Sequence, residues 1–375
     1  MAQCLQRGGE RHLRKLKRKL PFKLLLLYVF LLLVLNSCDE SPPPDLTPTA
    51  GSGGSPAGLS DWFKVYFTDP KSPTAESYRG GPDAELAAAI EEARLSVDAA
   101  IYDLNLWSLR DAMINAYRRG VAVRLVIESD NLDEPEIQDL KAAGIPILGD
   151  RREGLMHNKF VIIDRSQVWT GSMNFTTSDG YLNDNNLVQA KSTRLAEDYT
   201  TEFNEMFQDD LFGPEIRAAT PYPELKVEGV PIEIYFSPDD GVDEHLIDLI
   251  QSAEQSIYFM AFSFTSDSLA EAILERAQNG VIVAGVMEES QVESNIGSDY
   301  DRFRQAGLDI RLDGNPRNMH HKVIIFDEKT VVTGSYNFTN SAENVNDENV
   351  LVFHDPQIAD QFMTEFERIF ADGHR

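Results

Sequence analysis

Short apolar runs alternate along the chain with stretches whose apolar residues recur every three or four positions. The run VAVRLVIE at 121–128 predicts a buried strand, whereas Leu86, Ala89 and Ile90 share one face of a predicted helix. The first half is predicted to contain strands near 63–67, 96–102 and 121–128 and a hairpin KFVIID/VWTGS. Its predicted helices lie near 83–94, 108–118, 134–143 and 193–208. This alternation is typical of α/β proteins with helices flanking a mixed sheet.

The second half repeats the first. GSMNFTTSDGYLNDNNLVQA from Gly171 matches GSYNFTNSAENVNDENVLVF from Gly334 at an offset of 163 residues. The same order of elements follows, with strands near 232–236, 256–262 and 281–287 and helices near 243–253, 267–278, 297–306 and 356–370. We predict a bilobal tandem duplication, with repeats over 59–215 and 231–375, a linker over 216–230, and an active site at the pseudo-two-fold interface.

The first 58 residues differ from the rest. A basic stretch precedes the apolar run LLLLYVFLLLVL at 24–35, which is too short to span a bilayer and suits a signal peptide. The run ends at Asn36-Ser37-Cys38, which resembles a bacterial lipoprotein cleavage box with Cys38 as the lipid anchor; an uncleaved signal anchor is the alternative. Residues 39–58 are rich in Pro, Gly and Ser and predict a flexible tether. We therefore expect an extracytoplasmic, membrane-tethered protein, with 1–38 as the targeting segment.

Charge narrows the choice of substrate. Residues 59–375 contain 26 basic and 57 acidic side chains, a net charge of −31. Such a domain repels polyanions at long range, whereas nucleic-acid-binding proteins usually carry a basic surface. The two cysteines of the chain, Cys4 and Cys38, precede the predicted folded part, so the sequence predicts neither a disulfide framework nor a thiolate metal site there.

One pattern, HxKxxxxDxxxxxxGSxN, occurs once in each repeat with identical spacing. On a strand, residues two apart face the same side, so each histidine shares a face with its lysine, and the residue between them, such as His321, faces the other side. The glycine permits a close approach of the backbone, after which the asparagine returns to the same cleft. Each repeat therefore offers an imidazole, an ammonium and an amide, a set suited to an anionic phosphoryl group.

These paired motifs resemble the HKD motifs of the phospholipase D superfamily, and the resemblance covers nearly all of residues 60–372. The downstream NFT and N-D-E-N segments look most like the compact bacterial endonuclease and mitochondrial cardiolipin-hydrolase branch. The resemblance implies metal-free cleavage of a phosphodiester through a covalent phosphohistidine, with no cofactor. It implies His157 as the nucleophile and His320 as the acid and base.

The resemblance also implies the other site residues. The catalytic motif residues are His157, Lys159, Asp164, His320, Lys322 and Asp327, although the two aspartates are mainly structural in the family. The phosphate oxygens would be bound by the lysines together with Asn174, Asn337, Ser172 and Ser335. Tyr102 and Phe262, at matched positions in the two repeats, are predicted to be core residues.

One difference between the repeats bears on the roles of the two histidines. Family members often carry an acidic residue after the GSxN segment that orients a histidine. The second repeat has Glu348 there, whereas the first has Asn185, which cannot supply the charge. We therefore expect Glu348 to orient one imidazole and the two histidines to be unlike.

For the substrate, the tether and the acidic domain favour a phospholipid headgroup ester or a membrane surface. A nuclease, supported by the endonuclease likeness, is the alternative, and phosphatidyl transfer to an alcohol is a third possibility. A non-catalytic phosphate-binding scaffold is disfavoured because both motifs are complete. We expect a monomer, because both half-sites lie in one chain.

Overall fold

The computed structural model describes residues 61–375. The predicted targeting segment, the lipid anchor Cys38 and the tether lie outside the described residues. Within 61–375, no helix combines the length and the apolar composition needed to cross a membrane.

The first repeat contains one sheet and five α-helices. Its strands are β1 (Phe63–Phe67), β2 (Ser96–Ile101), β3 (Ala122–Ile127), β4 (Ile147–Gly149), β5 (Lys159–Ile163), β6 (Gln167–Gly171) and β7 (Asn186–Lys191). Its helices are α1 (Asp83–Glu92), α2 (Trp107–Arg118), α3 (Pro135–Ala142), α4 (Thr177–Tyr181) and α5 (Thr193–Phe207). The strand order is β1-β7-β6-β5-β2-β3-β4; β2, β3 and β4 run parallel and the other neighbours are antiparallel.

The second repeat has the same plan with one strand more. Its strands are β8 (Glu224–Val227), β9 (Val230–Ser237), β10 (Ser256–Ala261), β11 (Ile282–Met287), β12 (Asp309–Leu312), β13 (Lys322–Phe326), β14 (Thr330–Gly334) and β15 (Glu348–His354). Its helices are α6 (Val242–Ser252), α7 (Asp267–Gln278), α8 (Glu289–Ser294), α9 (Tyr300–Gln305), α10 (Asn340–Asn344) and α11 (Pro356–Asp372). The order β12-β11-β10-β13-β14-β15-β9-β8 repeats that of the first sheet. The two mixed sheets with flanking helices confirm the predicted bilobal α/β duplication.

The segment predicted as a linker is partly a strand. β8 lies within 216–230 and pairs with β9 at the edge of the second sheet. Its alternation of buried Leu225 with exposed neighbours is a short strand pattern, which the surrounding prolines obscure at the sequence level.

The two repeats share one hydrophobic core. A single cluster combines one face of each sheet with α5 and α11, which contribute Phe203 and Phe362. The opposite face of each sheet is covered within its own repeat, in the first by Leu86 and Leu109 of α1 and α2, and in the second by Leu246 and Leu269 of α6 and α7. Because the central cluster needs both repeats, burial of apolar surface fixes one sheet against the other.

Candidate active site

The two histidine–lysine pairs stand at the start of equivalent strands: Lys159 and Lys322 are the first residues of β5 and β13, and each histidine lies two residues earlier. Each lysine ammonium donates to the carbonyl oxygen of its own histidine, Lys159 to His157 at 2.6 Å and Lys322 to His320 at 2.9 Å. All four side chains are buried. The predicted same-face arrangement of histidine and lysine therefore recurs in both repeats.

Backbone hydrogen bonds between the repeats bring the two histidines to one interface. The N–H of His157 donates to the carbonyl oxygen of Asp347 at 3.0 Å, and the N–H of His320 donates to that of Asp184 at 2.8 Å. Hydrogen bonds also run in the other direction. The N–H of Asp347 donates to the carbonyl oxygen of Leu155, and the N–H of Asp184 donates to that of Asn318. Each N-D-x-N segment thus pairs with the histidine strand of the other repeat.

The last asparagine of each N-D-x-N segment also crosses between repeats. Asn349 donates to Asn158 at 2.8 Å and accepts from Thr170, while Asn186 contacts Nδ1 of His321 at 3.1 Å. His321 in turn contacts Glu365 at 3.0 Å and is fully buried. The middle residue of each HxK therefore joins the two repeats, and His321 contacts Glu365 and Asn186 rather than the catalytic groups.

Two further carboxylates hold the residues that precede the histidines. Glu128 accepts the N–H of Met156 at 2.8 Å, and Glu288 accepts the N–H of Met319 at 2.6 Å. Burial and the neighbouring Asp150 raise the pKa of Glu128 to about 7. These glutamates fix the backbone immediately before each histidine and so support the site.

Each imidazole is held through Nδ1 by the opposite repeat. Nδ1 of His157 lies 2.8 Å from Glu348, as expected for the acidic residue of the second repeat. Nδ1 of His320 lies 2.9 Å from Oδ1 of Asn185. Because Nδ2 of Asn185 donates to Asp179, its oxygen faces His320, and Nδ1 of His320 carries the hydrogen. This arrangement leaves Nε2 of His320 available to a substrate. An ionised Glu348 likewise holds the hydrogen on Nδ1 of His157 and leaves its Nε2 available.

The first repeat supplies a carboxylate that the sequence analysis missed. Oδ1 of Asp179 lies 3.3 Å from Nδ1 of His320. Asn185 is neutral, as the sequence indicates, but Asp179 places a carboxylate beside His320 that was not among the predicted site residues. The sequence did contain an indication of this carboxylate. When the repeats are aligned, Asp179 corresponds to Ala342 at the same offset that aligns Asn185 with Glu348.

Burial dominates the electrostatics of the site. Desolvation lowers the pKa of both histidines well below the ordinary value, and the nearby lysine ammonium groups lower it further. Desolvation likewise lowers the pKa of Lys159 to about 8, against the attraction of Glu348 and Asp179. Burial raises the pKa of Glu348 to about 8, which the two lysines oppose. Because Nδ1 of His157 lies 2.8 Å from Glu348, the two groups share a proton site and titrate as one unit.

The amide and aromatic side chains complete the cleft. Asn174 and Asn337 are half-buried; Asn174 donates to Asp179 at 2.9 Å, whereas Asn337 makes no side-chain hydrogen bond to any described residue. The rings of Tyr102 and Phe262 are only partly buried and pack edge-on against His157 and His320, at 4.9 and 4.5 Å between centroids.

The same rings face the lysines, with Lys159 Nζ 5.1 Å from the Tyr102 centroid and Lys322 Nζ 4.9 Å from that of Phe262. The prediction that these aromatics are core residues is wrong, since they line the site.

The serines of the GSxN segments do not face the cleft. Ser172 is fully buried, donates to Asn185 at 2.9 Å and accepts the N–H of Asn186. Ser335 accepts the N–H of Asn349 in the same way. Their hydroxyls are therefore occupied by the N-D-x-N segment, which contradicts the predicted phosphate-binding role of Ser172 and Ser335. The preceding Gly171 cannot carry a side chain, because a Cβ would collide with the carbonyl oxygen of Asn186.

The motif aspartates lie at the other end of the strand. Asp164 follows β5 and accepts the backbone N–H groups of Arg94, Leu95 and Ser96. Asp327 does the same for residues 254–256. Five residues of extended chain separate Asp164 from Lys159, about 16 Å. Asp164 and Asp327 therefore belong to the structural framework, which corrects their inclusion among the predicted catalytic residues.

Comparison with known proteins identifies the family. The family model described as "Cardiolipin synthase, PLD-like domain" matches residues 86–207 and 246–370, most of both repeats. The chain belongs to this phospholipase D-like family. It is 35% identical over 124 residues to a mitochondrial cardiolipin hydrolase of Chlamydomonas reinhardtii, a match that covers 33% of this chain and 55% of that protein. It is 31% identical over 150 residues to a phospholipase D of Rickettsia bellii, covering 38% and 74% of the two chains.

A solved structure shares the two-repeat plan. The phosphatidylserine synthase of Haemophilus influenzae Rd KW20 superposes with a TM-score of 0.61 over 82% of this chain and 85% of that one. The sequence identity is 14%, so this likeness shows the common fold alone. This chain is therefore a two-repeat member of the family, although it spans only 55% of the length of the Chlamydomonas relative.

Proposed function

We propose that the protein is a phosphodiesterase that hydrolyses a phospholipid headgroup ester through a covalent phosphohistidine, without a metal ion. The observation that carries the proposal is the convergence of two imidazoles, each held at Nδ1 by the opposite repeat, in one cleft with two buried lysines. A nucleophile and an acid are both available there, because each imidazole can present Nε2 to a bound phosphate.

Charge supports an anionic substrate. With neutral imidazoles and all four of these groups ionised, the ammonium groups of Lys159 and Lys322 balance the carboxylates of Glu348 and Asp179. A phosphodiester brings one negative charge into this buried site, and protonation of one imidazole restores the balance. The amides of Asn174 and Asn337 add donors for the non-bridging oxygens.

The proposed reaction has two balanced steps. Nε2 of His157 attacks phosphorus with its lone pair, and the bond to the leaving oxygen breaks as Nε2–H of His320 gives that oxygen its proton. Water then attacks phosphorus, gives a proton to Nε2 of His320, and the phosphorus–nitrogen bond breaks. The direct contact of His157 with Glu348 supports its assignment as nucleophile, since the carboxylate stabilises the positive charge that develops on that ring.

A metal is not required by this scheme. Among residues 61–375, no group of three or more histidine, cysteine or carboxylate side chains is arranged to hold an ion. The lysines and amides supply the positive charge and hydrogen bonds that a metal provides in other phosphoryl-transfer sites.

Phospholipid is preferred over nucleic acid as the substrate. The net charge of −31 over 59–375 opposes binding of a polyanion. The named relatives, a cardiolipin hydrolase and a phospholipase D, support the same choice. The N-terminal segment, with Cys38 as its lipid anchor, would keep the site near a membrane surface on the extracytoplasmic side, and a single chain suffices because it contains both half-sites.

The substrate is tested by offering mixed phospholipid vesicles and single-stranded DNA in parallel to the full chain. The His157→Ala variant is the inactive reference, and His245→Ala is the matched control, because that ring stacks on Tyr235 outside the site. Release of headgroup and phosphatidic acid by the wild type and the control alone supports the proposal. DNA cleavage without lipid turnover would replace it with a nuclease, and a phosphatidyl alcohol formed in added alcohol would indicate transfer.

A further inference from the structure

We propose that Asp179 is the positioning carboxylate of His320. From a different position in the fold, it replaces the acidic residue that is absent at position 185. The inference rests on the proposed function, because it assigns a role within the same site. It concerns a residue outside both HKD motifs and outside the N-D-x-N segments.

The repeats carry a reciprocal exchange at two positions. At an offset of 163 residues, Asp179 and Asn185 of the first repeat correspond to Ala342 and Glu348 of the second. Each repeat therefore has one carboxylate in this pair of positions, but at opposite members of the pair. The first repeat has no acidic residue at 185 but has one at 179, and the carboxylate of Asp179 lies beside His320.

Local structure explains how position 179 reaches the site. Thr176 caps α4, and its hydroxyl accepts the N–H of Asp179, which places Asp179 in the first turn of this short helix. The side chain is buried and turns toward the N-D-x-N segment. In α10, the equivalent helix, Thr339 caps in the same way, but the corresponding Ala342 has no polar group to offer.

The hydrogen bonds of Asp179 all come from groups around the site. Oδ1 accepts from Asn185 at 2.9 Å and from Asn183 at 3.1 Å, and Oδ2 accepts from Asn174 at 2.9 Å and from Thr176 at 3.0 Å. The carboxylate thus orients both the amide that contacts His320 and the amide of Asn174. Buried charge without partners would be costly, and these four donors satisfy it.

The ionised state of Asp179 follows from the same contacts. Burial alone would raise the pKa of Asp179, but His320 and the three amides outweigh it, and the pKa lies below the ordinary value. The carboxylate in turn opposes the lowering of the His320 pKa that burial, Lys322, Lys159 and His157 cause. Asn185 holds the tautomer of His320, and Asp179 supplies the charge that favours its protonated form.

The test moves the carboxylate from one position to the other. Asp179→Ala should lower kcat/KM for a soluble phosphodiester, bis(4-nitrophenyl) phosphate, by about 10- to 100-fold, as for removal of the partner of an active-site histidine. The double variant Asp179→Ala/Asn185→Glu recreates the pair found in the second repeat. It should recover most of kcat, while KM stays raised because Asn174 remains without its acceptor.

The matched control is Asp83→Asn. Asp83 is also buried and holds α4 through the hydroxyl of Tyr181 at 2.7 Å, but it does not contact His320. Its removal perturbs the same helix without changing the charge at the histidine. A loss of activity in Asp83→Asn as large as that in Asp179→Ala would reduce Asp179 to a support of α4 and overturn the proposal.

A readout independent of turnover separates this inference from the proposed function. The pKa of His320, followed by NMR of histidine-labelled full chain and assigned with His320→Gln, should fall in Asp179→Ala and rise again in the double variant. An unchanged His320 titration would refute the role of Asp179 even in an active enzyme. A wild type without phosphodiesterase activity but with this shift would refute the proposed function alone.

Discussion

Replacement of the motif aspartate Asp164 should reduce stability and leave catalysis unchanged. Its carboxylate accepts three consecutive backbone N–H groups, at 2.6 to 3.1 Å for Oδ1, and its own backbone is left-handed with φ of 52°. In Asp164→Ala the three donors lose their acceptor, at about 1 kcal/mol each where water can partly replace it. A left-handed alanine adds about 1 kcal/mol. The expected loss is therefore about 4 kcal/mol.

Asp164→Asn is the matched variant. Its amide oxygen can replace Oδ1 as the acceptor, and asparagine tolerates positive φ, so we expect a loss of only about 1 kcal/mol. For a domain of this size the melting temperature should fall by roughly 2 °C per kcal/mol, so the alanine variant should melt about 8 °C lower.

Denaturant unfolding of the two variants and of the equivalent Asp327 pair measures these losses. Activity is assayed well below the melting point of each, where every variant is folded. The kcat of Asp164→Asn should stay within about threefold of the wild type. A tenfold fall in kcat with the fold intact would refute the structural assignment and return Asp164 to the catalytic residues.

Four further results are expected. Glu348→Gln should remove the rise of the rate with pH that the His157–Glu348 unit gives near pH 8, because loss of the unit's proton ionises Glu348 and leaves Nε2 of His157 free to attack; a pH–rate profile with this rise unchanged would contradict the coupling. Asp313 has its pKa raised to about 8 by burial and by Glu288, so the folded state binds its proton more tightly than the unfolded state, and stability falls as the pH rises from about 4 to 8; Asp313→Asn should flatten that dependence in denaturant titrations at pH 5 and 8. Tyr102→Ala should lower kcat/KM about tenfold whereas Tyr102→Phe should not, because either ring can face Lys159; equal losses would implicate the hydroxyl. EDTA should leave the rate unchanged, and loss of activity that zinc or magnesium restores would defeat the metal-free scheme.

The repeated motif made the fold and much of the site predictable. Identical spacing in both halves requires equivalent strands, and residues two apart on a strand must share a face, so the histidine–lysine pairs follow from sequence. Apolar periodicity located the long helices in the same way, since α5 and α11 bury a continuous face.

What was missed depends on side-chain contacts that apolar periodicity does not encode. Short helices such as α4 have too few residues for a periodic signal, and Asp179 lies on one of them. The family resemblance implied that the serines bind phosphate, but their hydroxyls are taken by the N-D-x-N segments. Tyr102 and Phe262 resemble core residues at the end of buried strands, but each ring packs edge-on against the histidine of its own repeat and borders the site.

The central claim is that the two repeats build one site, and paired histidine variants test it most directly. The full-length wild type, His157→Ala, His320→Ala and the double variant are compared for hydrolysis of bis(4-nitrophenyl) phosphate, with His245→Ala as the control. If both histidines serve one reaction, each single variant should lose at least about 10³-fold in kcat, and the double variant should lose little more. Two single variants that each keep about half of the wild-type rate would show that the repeats work as separate sites and would contradict the account.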